Sequence, residues 1–180
     1  VIALPGSPTG LANGNTSANQ FLGQIETGYK FGLGIGANSS ISPFARLQVG
    51  SINQAGFTEY GGGLFNLAVA AQTTTSVRTT FGVDLAGGFE VGGTLLDLGF
   101  RLGWMHEFAD TARPMTAAFA AAPTSQFTVF GATPQRDSAV VGFSAATALG
   151  DHSSLFVAYD GEIGGGTDNH ALRAGFKIRW

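Results

Sequence analysis

The side chains of this sequence that could move protons are three histidines, His106, His152 and His170, together with scattered carboxylates. A nucleophile, base and acid triad needs such groups to converge in space. His106 falls on the apolar side of an alternating segment near its end, and the other two fall in or beside turns. Gly142-Phe143-Ser144-Ala145-Ala146 approaches the nucleophile elbow but sits inside an alternating segment, without the sharp strand-to-helix turn that the motif requires. Asp160 and Glu162 could serve as a general acid and base. Two apart on one strand, they are better placed to pair with Arg or Lys across an enclosed interior. Gly32-Leu33-Gly34-Ile35-Gly36 and Gly61-Gly62-Gly63 lack the following helix of a phosphate cradle and read as turns. Cysteine is absent, which removes disulfides and thiolate metal sites. No catalytic residue, metal ligand or cofactor is therefore expected.

The elements that carry these residues run with period two, each bounded by Gly, Asn, Asp, Ser or Thr clusters that favour turns. Strands are predicted at about 20–32, 41–54, 76–91, 95–108, 137–149, 154–164 and 170–180. Short turns are predicted at Gly92–Thr94 and Gly150–Ser153, and longer connections at about 55–75 and 109–136. Short turns alternating with long loops are the habit of a membrane barrel, the short ones lying on the periplasmic side. Leu67–Gln72 reads as a further strand or an extension, and the Ala-rich stretch Thr116–Ala122, bracketed by Pro114 and Pro123, as one helical turn. The chain is expected to be one domain over 1–180.

Charge placement discriminates between a membrane barrel and a soluble sandwich, because a charge at mid-membrane on the lipid side costs about 2–4 kcal/mol. Gln24, Glu26, Gly28 and Lys30 share one face, and Ile25, Thr27, Tyr29 and Phe31 the other. Arg78, Asp84 and Glu90 oppose Val77, Phe81, Leu85 and Phe89; Asp97, Arg101 and Glu107 oppose Leu98, Phe100, Leu102 and Trp104. Asp160, Arg173 and Lys177 fall likewise opposite Tyr159, Leu172 and Phe176. With Arg46, Glu162 and Arg179, fourteen of the 21 formal charges fall on the polar faces of predicted strands, seven acids against seven bases. The polar face is thinned by small residues, as in Val140-Gly142-Ser144-Ala146-Ala148, which suits ion-paired rows inside a narrow barrel.

Composition agrees. The chain has 180 residues with 28 glycines, 44% hydrophobic and only 12% charged residues, yet no apolar run approaches the roughly 18 residues of a spanning helix. A net charge of -3 leaves no basic footprint for nucleic acid. The opening Val1-Ile2-Ala3-Leu4-Pro5-Gly6 has no basic segment or cleavage site, so an export signal is expected upstream or already removed.

The last strand places Leu172, Phe176, Ile178 and the final Trp180 on one face, a pattern that the outer-membrane barrel assembly machinery is understood to read. Four further stretches carry a family resemblance in order: Pro43-Phe44-Ala45-Arg46-Leu47, Ala71-Gln72-Thr73-Thr74-Thr75-Ser76-Val77-Arg78, Arg101-Leu102-Gly103-Trp104-Met105-His106-Glu107-Phe108 and Tyr159-Asp160-Gly161-Glu162. Together with the loop Ala117–Gly131 they resemble the C-terminal β-barrel translocator domain of autotransporters, the type V secretion proteins.

That resemblance implies an all-β, transmembrane, antiparallel up-and-down barrel in the bacterial outer membrane, of which this chain would be the C-terminal seven or eight strands of twelve. The remaining strands, a plug helix and the secreted passenger would lie upstream. Expected partners are outer-membrane lipid, the assembly machinery and the domain's own passenger. The expected interior lining is Glu26, Lys30, Arg46, Arg78, Asp84, Arg101, Asp160 and Arg173, with Tyr29, Trp104 and Tyr159 in the aromatic girdles. With Trp180 on the periplasmic side, strand 95–108 runs outward and the connection after it is extracellular. Two other functions fit the same sequence: a small structural outer-membrane barrel or adhesin, and the membrane anchor of a surface esterase.

Overall fold

The computed structural model describes residues 10–35, 37–150 and 152–178. Twelve strands follow in chain order: β1 (Ala18–Gly28), β2 (Phe31–Gly32), β3 (Ala37–Gln54), β4 (Phe57–Thr58), β5 (Leu67–Val69), β6 (Gln72–Val91), β7 (Thr94–Glu107), β8 (Pro114–Phe119), β9 (Gln126–Phe130), β10 (Asp137–Ala148), β11 (Ser153–Gly164) and β12 (Asn169–Ile178). The long ones form one sheet in the order β1-β3-β6-β7-β10-β11-β12, with β2 beside β3. Neighbours in this sheet are neighbours among the long strands of the chain, an up-and-down meander. Each predicted long strand after the first is present to within a few residues, the end of the last lying outside the described residues, and the chain is all-β. No helix among the described residues is long and apolar enough to cross a membrane.

The first predicted strand is broken. Tyr29 donates its N–H to the Pro43 carbonyl at 3.2 Å, but Pro43 has no N–H to return, so the ladder lapses between β1 and β2 before resuming at Phe31 opposite Ile41. Lys30 stands in that gap rather than in a strand.

The residues fall into two compact units. One gathers the chain up to Gly23 with Val49–Ser76 and Asp110–Thr133, and contains the small sheet β4-β5-β8-β9. Its buried side chains are Val69, Ala117 and Ala118. Here the structure overturns the helical turn expected at Thr116–Ala122 and the irregular loop expected over 109–136. Ala117 pairs with Val69 of β5 on one side and Phe127 of β9 on the other, so Pro114–Phe119 is a strand and the connection carries a hairpin. Helix propensity is easily overridden by tertiary pairing even for alanine, the best helix former, and the two bracketing prolines leave a run shorter than the roughly 12 residues that sustain a helix. The second unit gathers Gln24–Gln48, Val77–Ala109 and the chain from Pro134. Its hairpin β6–β7 turns at Gly92 and Gly93, whose φ angles of 59° and 80° make the two-residue turn that matches the sheet's twist.

Candidate functional site

Pairing registers in the second unit line up the charged residues in rows. Asp84 lies opposite Arg101, Arg101 opposite Gly142, and Gly142 opposite Asp160, all on one face. Arg101 grips Asp84 with two bonds, Nε to Oδ1 at 2.6 Å and a terminal nitrogen to Oδ2 at 2.7 Å. It also reaches Glu26 Oε1 at 3.2 Å, and Glu26 takes Arg46 Nε at 2.6 Å. Gln24 and Gln48 pair alongside at 3.0 Å, stepping opposite ways from Glu26 and Arg46 as antiparallel strands must.

Adjacent strands are about 4.8 Å apart, so strands with two others between them, as β1 and β7 have, lie about 14 Å apart in a flat sheet. A direct ion pair between their side chains makes this stretch of the charged face concave. Arg78 on β6 repeats the geometry, standing 3.7 Å from Glu162 on β11 across two intervening strands, and 3.1 Å from Glu107. Asp160 and Arg173 form a further ion pair. Of the eight residues expected to line an interior, seven are therefore drawn into ion pairs on one face. Lys30 stays exposed in the β1–β2 gap, with no ion pair to another described residue.

Some residues of this face escaped sequence reasoning. Phe44 shares the parity of Arg46, and its ring lies 4.2 Å under the Arg101 guanidinium. The space for the ring exists because position 82 is Gly; a Cβ there would stand 2.7 Å from Phe44. Met105 and Thr80, paired with each other one step along the same face from Gly103 and Gly82, are buried. Glu107 is fully buried, accepting the backbone N–H of Val77 at 2.8 Å and of Ala109 at 3.0 Å on one oxygen and Arg78 Nε on the other. The sequence had already placed Glu107 on this face with Arg101, and the same parity was the available signal for Met105; the burial of both was not written in the sequence.

The opposite face is a continuous apolar surface open to its surroundings: Phe81, Phe89, Phe100, Leu102, Leu155, Leu172, Phe176 and Ile178 are all exposed. The exception to a charge-free face is Asp137, which opens β10 opposite His106 and accepts Trp104 Nε1 at 3.0 Å and a hydrogen bond with His106 Nδ1 at 2.8 Å. It sits at the strand end, where a carboxylate can be met by polar partners. Tyr159 hydrogen-bonds His170 Nδ1 at 2.8 Å, and His170 pairs with Gly161 at the start of β12, beside the connection from β11. By register, both the Trp104 and Tyr159 polar atoms aim at the Glu107 end of the sheet. Tyr29 is exposed, with its ring 4.7 Å from Phe31. Trp180 and Arg179 lie outside the described residues, as does Gly36. Ser144 lies within β10, on the charged face. No cluster of potential metal ligands is found among the described residues.

This geometry, a meander with one charged concave face and one apolar face, meets its counterpart in sequence comparison. The family model for the autotransporter β-domain matches residues 2–160. The chain belongs to the autotransporter β-domain family. The matched stretch runs from before β1 to within β11 and stops short of β12. No curated protein matches the chain. Autotransporter β-domains are outer-membrane translocators rather than catalytic modules, and that is the general role of this domain. The two faces acquire their meaning from it: a sheet in lipid must present apolar side chains outward and can tolerate charge only inside.

Proposed function

We propose that this β-domain exports its own N-terminal passenger to the cell surface along its charged face, while the apolar face meets outer-membrane lipid. The observation that supports this reading best is the Arg101–Glu26 ion pair, which curls the charged face inward and balances its charge. An interior of alternating sign offers an extended chain no strong single-sign trap. Glu26, Lys30, Arg46, Arg78, Asp84, Arg101, Asp160 and Arg173 then line a wet path, floored by the small residues Ala86, Gly99, Ser144 and Ala158 that share one register row. Tyr29, Trp104 and Tyr159 sit at headgroup depth. Leu172, Phe176 and Ile178 of β12, with Trp180 after them in the sequence, are the signal that the barrel assembly machinery reads.

The test separates passage from assembly. In cells making the full-length protein, Ala86→Trp together with Ala158→Trp should obstruct the path and cut the amount of passenger that external protease can reach. The heat-resistant folded barrel should stay at its normal level in the outer membrane. Undiminished passenger display from this double variant would defeat the export reading.

A further inference from the structure

The small sheet β4-β5-β8-β9 ends on β9, Gln126-Phe127-Thr128-Val129-Phe130, and all five of its residues are exposed. Hydrogen-bond parity shows which of its backbone groups are free. Thr116 of β8 gives its carbonyl to Ala70 N, on the β5 side, and Gly131 N reaches the Arg113 carbonyl. The odd-numbered residues of β8 therefore bond toward β9, and their partners are Phe127 opposite Ala117 and Val129 opposite Met115. The N–H and C=O groups of Gln126, Thr128 and Phe130 point away from the sheet. Such an edge is normally protected by Lys, Pro or brevity. β9 has none of the first two, and no formal charge occurs anywhere between Arg113 and Arg136.

We propose that β9 is a self-association edge, pairing antiparallel with β9 of a second copy about Thr128. In this register Thr128 meets its own counterpart and Gln126 meets Phe130, so every outward N–H and C=O on both strands is used. Phe127 and Val129 meet across the same axis, an aromatic and β-branched pair of the kind that favours sheets. Charge selects the occupant: a copy of this segment meets the neutral edge without burying an unpaired charge, whereas a charged partner strand would leave its charges against Phe127, Val129 and Phe130. The contact is small, five residues against the roughly 20–30 per side of a stable soluble complex. It forms where copies are crowded, and confinement to one membrane raises their effective concentration. The inference goes beyond passenger export and stands or falls separately from it.

The sequence has no cysteine, so a single introduced thiol reports one contact. Hydrogen-bonded antiparallel partners stand about 5.5 Å apart at Cα, inside the disulfide range. In outer membranes of cells making the full-length protein, Thr128→Cys should give a covalent dimer of this chain under a mild oxidant, several-fold more than Ser125→Cys in the adjacent exposed turn. Adding Phe130→Pro, which removes an outward N–H not used by β8, should return the T128C yield to the S125C level, while heat-resistant migration shows that the barrel has folded. Equal yields from T128C and S125C, persistence of the dimer with F130P, or capture of a different protein would each overturn the pairing.

Discussion

Arg101 of β7 and Glu26 of β1 touch at 3.2 Å although two strands, β3 and β6, lie between them in the sheet. The contact makes their coupling a direct measure of curvature. In a double-mutant cycle, Arg101→Gln and Glu26→Gln should show an interaction energy of roughly 0.5–3 kcal/mol in the urea unfolding of the full-length barrel in lipid. Additive effects would mean that the charged face is flat at this point.

Neighbouring residues should respond oppositely to the same substitution. Leu85→Arg puts a guanidinium on the apolar face and should cost about 2–4 kcal/mol of bilayer stability. Ala86→Arg, one residue on and on the charged face, should cost well under half as much. Measuring both by lipid-bilayer unfolding titration checks the facing assignment, and similar losses would contradict it.

Glu107 satisfies two backbone donors and Arg78 from a fully buried position. Glu107→Ala should therefore destabilise the domain by about 2–4 kcal/mol, the cost of two orphaned backbone donors, while Arg78 keeps its ion pair with Glu162. Glu107→Gln, which keeps one acceptor oxygen, should fall between. The temperature at which the folded band is lost on unheated gels gives the ranking, and limited proteolysis should show faster cleavage just after Glu107 in the Ala variant.

Phe176 and Ile178 lie on the exposed apolar side of β12. Their replacement by Ser should lower assembly in cells more than refolding into detergent. Each side chain contributes at most about 1.5–3 kcal/mol of burial, whereas reading of the strand by assembly machinery depends on it directly. Equal losses in the two assays would indicate a folding defect alone.

The long strands were legible because the cost of misplacing a charge in lipid writes period two into the chain: Arg78, Asp84, Arg101 and Asp160 could be assigned to one face before any contact was known. Phe44 and Met105 were harder. They are apolar residues on the charged side, and Phe44 finds cover there because Arg101 folds over its ring. The Ala run at Ala117 and Ala118 was misread as helix because local preference was the available signal, while pairing with β5 and β9 decided the outcome. Asp137 shows the limit of the face rule, which relaxes where a strand end offers Trp104 and His106 as partners.

Because Gly92 and Gly93 join β6 to β7 with nothing to spare, the register from Arg78 opposite Glu107 to Val91 opposite Thr94 rests on the length of that turn. Side chains alternate by one residue. A single added codon there would leave the composition almost unchanged and yet turn β7 inside out, sending Arg101 into hydrocarbon and Phe100 against Asp84. The gene can thus drift at many surface positions of this hairpin while its reading length at the glycine pair stays fixed.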